Sequence, residues 1–233
     1  MANSLITVGF MKRFLLFALF SIAFSVVGFA QTAEEYFNRG NQKFLKQDFA
    51  GALRDYSTSI SLKPNQAQTF YNRAHAQEGL KNYAAAIDDY GQAILLNPKY
   101  AEAYLERGLL QYNRTNYKAA LTDFDKAIAQ NPKYAKAYNN RGLAKYQLKD
   151  YRGALSDYNK ALELQPDFAD AFYNRGAAKY NLQDRTGACS DWENAQKFGN
   201  AEAGKMKARS IAGSIGIKLE PRSTFVILAF YLC

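Results

Sequence analysis

The sequence predicts an all-α protein built as a solenoid of antiparallel helix pairs. Prolines and arginines recur every 34 residues, and apolar side chains recur at spacings of three and four within each interval. The long period indicates a stack of similar units that depend on their neighbours for burial. The short spacing is typical of amphipathic helices. The evenly spaced residues are Pro64, Pro98, Pro132 and Pro166, together with Arg39, Arg73, Arg107, Arg141 and Arg175.

The N-terminal segment, residues 1–30, has the pattern of a signal peptide. Lys12 and Arg13 precede a short apolar run that ends in small residues at Ala30, which predicts cleavage there and a true start at Met11. An uncleaved membrane anchor is the alternative, although the run is shorter than the roughly 20 apolar residues of a spanning helix. Cleavage would lower the net charge from +9 to +7, because the segment carries two bases and no acid. We therefore expect export to the periplasm or envelope of a bacterium, or secretion.

The interval at residues 135–168 shows the helix pair most clearly. Tyr138, Gly142 and Tyr146 recur at helical spacing along a first helix, and a second apolar helix follows a short polar turn. Pro166 closes the second helix because it lacks the backbone N–H that a helix needs. A glycine inside the first helix is expected where two backbones approach closely.

This unit resembles the tetratricopeptide repeat, which has an aromatic residue at position 4, a small residue at 8, alanine at 20 and 27, an aromatic residue at 24 and proline at 32. Position 1 at Ala33 gives five repeats: 33–66, 67–100, 101–134, 135–168 and 169–202. The resemblance implies a right-handed solenoid over residues 31–212 that ends in a capping helix from about Ala201 onward. Residues 213–233 form an irregular apolar tail, for which a strand, a docking peptide and a shifted reading frame stay open.

An arginine at position 7 and an aspartate at position 23 occur in every repeat. A guanidinium suits bidentate contact with a carboxylate, so we expect structural ion pairs that fix the stacking register. The alternative is a basic ladder for an acidic ligand, which the matching acids would neutralise. The aspartates are Asp55, Asp89, Asp123, Asp157 and Asp191.

The same resemblance implies that the first helix of each repeat lines a concave groove. Tyrosine supplies contact area at small entropic cost, and asparagine bonds a ligand backbone, so we expect an extended peptide or a partner helix there. Simple packing between helices is the alternative role for these aromatic residues. The predicted groove residues are Phe37, Asn38, Asn41, Phe44, Tyr71, Asn72, His75, Glu78, Leu105, Glu106, Tyr112, Asn139, Asn140, Tyr146, Tyr173, Asn174 and Tyr180.

Several function classes are disfavoured. Interspersed charges argue against nucleic-acid binding, and a single histidine, His75, offers no catalytic or metal-binding constellation. We expect no enzyme, no cofactor and no metal. Cys189 and Cys233 form a bridge or stay free.

The sequence therefore predicts a non-catalytic protein–protein interaction scaffold of the bacterial cell envelope. A structural component that is attached to an envelope membrane and positions a larger assembly is the alternative. Membrane association is not predicted, and the sequence specifies neither the partner nor the oligomeric state.

Overall fold

The computed structural model describes residues 31–206, and this part of the chain is helical without strands. The predicted signal peptide, the apolar tail and Cys233 lie outside the described residues. The chain divides into two compact units, of which the first ends at Pro64 and the second begins at Asn65.

The first unit contains one antiparallel helix pair, α1 (Ala33–Leu45) and α2 (Phe49–Leu62). α1 begins with a capping box, in which the Thr32 hydroxyl accepts from the Glu35 N–H and the Glu35 carboxylate accepts from the Thr32 N–H. The two helices approach closely at Gly40, where a Cβ would lie 2.6 Å from the ring of Tyr56. A Cβ at Gly40 would therefore require the Tyr56 ring to move.

The second unit is a solenoid in which each helix pair packs on the next. Its core lies between paired helices and between successive pairs, as shown by the cluster of Ala74, Tyr90, Ile94, Ala103 and Leu110. Its helices are α3 (Ala67–Gly79), α4 (Tyr83–Leu96), α5 (Ala101–Asn113), α6 (Tyr117–Gln130), α7 (Ala135–Gln147), α8 (Tyr151–Leu164), α9 (Ala169–Asn181) and α10 (Arg185–Lys197).

The predicted capping helix lies partly outside the described residues. Residues 203–206 are helical, and Ala203 is fully buried in a cluster with Ala188, Trp192 and Ala195. The residues that follow α10 therefore cover the core of the last repeat at its C-terminal end. In the described part, no helix combines the length and the apolar character needed to cross a membrane.

Each turn between paired helices places a residue other than glycine in the left-handed region of backbone conformation. These residues are Gln47, Lys81, Thr115, Lys149 and Gln183. Thr115 has a φ of 61°, which is unfavourable for a side chain branched at Cβ.

We expect Thr115→Gly to raise the free energy of unfolding by about 1 kcal/mol, because glycine adopts this conformation without a steric cost. Urea unfolding of both proteins measures the difference. Thr122→Gly in α6 is the matched control and should lose about 0.3 to 0.5 kcal/mol, since glycine is less favourable than threonine inside a helix. A loss of stability in both variants would contradict the strain at Thr115.

Candidate functional site

The repeated arginines and aspartates pair within each repeat. In the fourth repeat, Nε of Arg141 donates to Oδ2 of Asp157 at 2.9 Å and Nη2 donates to Oδ1 at 2.6 Å. The same bidentate contact occurs in the other four copies. All five aspartates are buried. The pair therefore fastens the first helix of each repeat to the second.

This geometry corrects the expectation that the bidentate pairs fix the register between repeats. The link to the preceding repeat runs instead through Nη1, which donates from Arg141 to Asp125 and from Arg175 to Asn159, each at 2.8 Å. The planar guanidinium can make both contacts, because its Nε–Nη2 edge and its Nη1 group point in different directions.

A lysine supports the aspartate in three repeats. Lys145 Nζ lies 2.8 Å from Asp157, and Lys43 and Lys179 make the equivalent contacts in the first and fifth repeats. Glutamine stands at this position in the second and third repeats, as Gln77 and Gln111. The aspartate of the third repeat therefore has only its arginine as a cationic partner among the described residues.

We call the surface formed by α3, α5, α7 and α9 of the second unit the first-helix face. Most of the predicted groove residues are half-buried there, and Asn38 in the first unit is exposed. The half-buried residues are Phe37, Asn41 and Phe44 in the first unit, and Tyr71, Asn72, His75, Glu78, Glu106, Tyr112, Asn140, Tyr146, Tyr173, Asn174 and Tyr180 in the second.

Two predicted groove residues do not face a ligand. Leu105 is 2% exposed and packs with Ala137 and Ala144 of the following first helix. Asn139 is 5% exposed, and its Oδ1 accepts from Nδ2 of Asn174 at 3.0 Å. In these two repeats the position lies between consecutive first helices and serves stacking, whereas Tyr71 at the same position stays half-buried.

Tyr112 and Tyr146 are held in place by the repeat that follows each of them. Gln147 Nε2 donates to the Tyr112 hydroxyl at 3.1 Å, and Asn181 Nδ2 donates to the Tyr146 hydroxyl at 2.8 Å. Each hydroxyl acts as the acceptor, so its own proton remains available for another bond. The two tyrosines are therefore ordered donors on the first-helix face.

Ring packing fixes the same row of tyrosines. The Tyr112 ring centroid lies 5.3 Å from Tyr117, and Tyr146 lies 5.2 Å from Tyr151. Tyr180 continues the row at 6.0 Å from Trp192. These edge and tilted contacts limit ring motion before any ligand binds.

A second polar group lies in the second repeat, around Tyr90 of α4. Its hydroxyl donates to the Glu78 carboxylate and lies 3.0 Å from Nδ1 of His75. Burial raises the pKa of Tyr90, and the bond to Glu78 raises it further. His75 and Glu78 are thus both in contact with a buried hydroxyl that holds them in place.

Glu106 is the acidic residue of the first-helix face at the third repeat. It stands where the other repeats have asparagine, and its carboxylate makes no hydrogen bond or ion pair within residues 31–206. Burial raises its pKa, against the opposing influence of His75. Carrying an unpaired, half-buried carboxylate costs stability.

Family models described as tetratricopeptide repeats match residues 67–100 and 105–162, and a model described as a TPR repeat matches residues 142–183. The chain contains tetratricopeptide repeats. No curated protein matches the sequence significantly. The matched tetratricopeptide models indicate no enzyme family.

Solved tetratricopeptide structures share the fold. A MamA structure is 27% identical, with a TM-score of 0.65 over 70% of this chain and 96% of its own. MamA from Desulfovibrio magneticus RS-1 is 21% identical, with a TM-score of 0.67 over 71% and 94%. YrrB, described as a TPR protein with an unusual peptide-binding site, is 22% identical, with a TM-score of 0.63 over 72% and 87%.

Sequence reasoning missed two residues of the first-helix face and the buried Tyr90. Gln147, Asn181 and Tyr90 were not among the predicted site residues. The signal for Tyr90 was present, because polar His75 and Glu78 accompany it. In the third repeat the corresponding position to Tyr90 is apolar Phe124.

We expect Glu106→Asn to stabilise the protein by about 1 kcal/mol at neutral pH, because it removes an unpaired carboxylate. A carboxyl group whose pKa is raised by folding stabilises the fold below its unfolded pKa, about 4.3, and this contribution is lost as the pH rises through the folded pKa. The advantage of the variant should therefore shrink in acid. Thermal unfolding at several pH values measures it.

Glu102→Asn is the matched control for this prediction, because Glu102 lies on the same helix and is exposed. It should change stability little at any pH. Equal effects of the two substitutions would contradict a special cost at Glu106.

Proposed function

We propose that the protein is a non-catalytic interaction scaffold that binds an extended peptide along the first-helix face, in the cell envelope of a bacterium. The observation that carries this proposal is the pair of ordered hydroxyl donors, Tyr112 and Tyr146, each fixed by an amide from the next repeat. An ordered donor costs little entropy when a ligand binds. The similar YrrB structure, a TPR protein with an unusual peptide-binding site, supports the same use.

An extended peptide matches the chemistry of this face better than an apolar helix does. The tyrosine hydroxyls can donate to backbone carbonyls, and the amide of Asn140 has both a donor and an acceptor. Asn174 uses its amide N–H on Asn139, which leaves its carbonyl oxygen for a ligand N–H. Peptide backbones offer such groups at regular spacing, whereas a helix consumes them internally.

Glu106 adds a preference for charge at the third repeat. A half-buried carboxylate between Tyr71 and Tyr134, whose pKa values both respond to it, favours a positively charged or N–H-bearing group of the ligand. A basic group of the peptide that lies at Glu106 would thus set the direction in which the peptide runs along the array. A basic side chain at this position offsets the desolvation of the carboxylate.

The envelope part of the proposal rests on residues 1–30. N-terminal mass spectrometry of periplasmic and cytoplasmic fractions tests it, because export and cleavage should leave Gln31 as the first residue of the periplasmic form. A protein that keeps residues 1–30 and stays in the cytoplasm would overturn the envelope location without touching the binding role.

Affinity capture from envelope extract tests the binding face. We expect partner proteins that bind the unaltered chain to be lost with the Tyr112→Ala, Tyr146→Ala, Tyr180→Ala triple variant. Lys118→Ala, Arg152→Ala and Glu163→Ala on the second helices form the matched control, and that variant should retain them. Partners that survive the tyrosine triple variant, in protein shown to be folded by circular dichroism, would place binding elsewhere.

A further inference from the structure

An open cleft of about 690 Å³ lies between the second helix of the second repeat and both helices of the third. α4 supplies Gly91, Gln92 and Leu95, α5 supplies Arg107, and α6 supplies Thr122. None of the predicted groove residues lines it. The cleft is therefore separate from the surface to which peptide binding is assigned.

The cleft exists where one link of the arginine series is missing. In the first, fourth and fifth repeats, Nη1 of the arginine has an acceptor. Arg39 donates to Gln31, Arg141 donates to Asp125 and Arg175 donates to Asn159, each at 2.8 Å. Gly91 of the second repeat stands at the repeat position that Asp125 and Asn159 occupy in the third and fourth repeats. Glycine has no side chain that could accept from Arg107.

Arg107 consequently carries an unused donor. Its Nε and Nη2 are bound to Asp123, but Nη1 has no acceptor among residues 31–206. A Cβ placed on Gly91 would lie 3.5 Å from this Nη1, so a side chain at residue 91 would occupy the space beside it. The arginine side chain is 26% exposed, which keeps Nη1 within reach from outside.

A carboxylate is the acceptor that best satisfies such a guanidinium edge, since charge-assisted bonds are about twice as strong as neutral ones. Gln92 and Thr122 add neutral hydrogen-bonding groups at the rim, and exposed Leu95 adds an apolar contact. Asp88 also lies at the rim, but it is exposed and its repulsion is screened by solvent.

The openness of the site to solvent decides what kind of molecule carries the carboxylate. Small-molecule pockets enclose most of the ligand surface, whereas the rim residues here are exposed on an unbroken helical surface. We propose that this cleft receives an aspartate or glutamate side chain of a partner protein that docks on the second helices of the second and third repeats. The contact is independent of the peptide groove.

Two dipeptide probes test the proposal on the full chain labelled with ¹⁵N-arginine. Acetyl-Leu-Glu-amide should shift the Arg107 side-chain NMR signal saturably, at least about tenfold more tightly than acetyl-Leu-Gln-amide. The signals of Arg141 and Arg175, whose Nη1 groups are already bonded, serve as internal controls and should not respond.

Substitutions at residue 91 sharpen the test. Gly91→Asp places a carboxylate beside Arg107 and should abolish the response to the probe. Gly91→Ala also adds a Cβ at this position but no hydrogen-bond acceptor, so it should retain the response. No saturable shift at Arg107, equal responses to both probes, or an equal response of Arg141 would each overturn the proposal. The comparison of the two probes on the unaltered chain tests the proposal even if a residue 91 variant does not fold.

Discussion

Trp192→Ala should lower the free energy of unfolding by about 4 kcal/mol, because removal of a fully buried aromatic side chain leaves a large cavity. Trp192 is 1% exposed and packs with Ala188, Ala195 and Ala203 at the end of the array. Its Nε1 also donates to the Tyr173 carbonyl at 3.2 Å. Urea unfolding followed by far-UV circular dichroism measures the loss.

Trp192→Phe is the matched control, since Phe124 fills the same position in the third repeat. It should lose about 1 to 2 kcal/mol, from a smaller ring and one lost hydrogen bond. A tryptophan-to-alanine loss no greater than the phenylalanine loss would contradict the packing assigned to the last repeat.

Arg107→Met should lower the free energy of unfolding by about 3 kcal/mol, because it leaves the buried carboxylate of Asp123 without a cation. Methionine keeps the length of the arginine stem, so the measured change reports mainly on the charge. Asp123 is 5% exposed, and Gln111 stands where the first, fourth and fifth repeats have a lysine. Urea unfolding again provides the measurement.

Arg141→Met is the internal control for the ion pair. Asp157 would keep Lys145 at 2.8 Å after this substitution, so we expect a loss smaller by at least about 1 kcal/mol. Equal losses at the two sites would show that the lysine does not support its aspartate. A negligible loss at Arg107 would show that the pairs contribute little to the fold.

The repeat period predicted the helices well, because turn residues and packing residues recur in every copy at fixed positions. The sequence also paired each arginine with an aspartate. It could not show that the bidentate contact stays inside one repeat, since both partners recur with the same period. The contact of the arginine with the preceding repeat runs instead to Asp125 and Asn159, at a position whose residue varies between copies.

The candidate site was less predictable for a related reason. Leu105 and Asn139 share a repeat position with half-buried Tyr71, and they are buried because the following first helix covers them. Burial at this position depends on the neighbouring side chains, which the repeat pattern does not encode. The donors on Tyr112 and Tyr146 likewise depend on amides that come from the next repeat.

Selection of peptides from a random decapeptide library tests the central claim, that the first-helix face binds extended peptides. Selected peptides should bind the unaltered protein at least about tenfold more tightly than the folded Tyr112, Tyr146 and Tyr180 triple variant, because each lost contact removes a pre-ordered donor or ring. The control triple variant on the second helices should bind them normally. Peptides that bind the tyrosine triple variant as well as the unaltered protein would contradict the account.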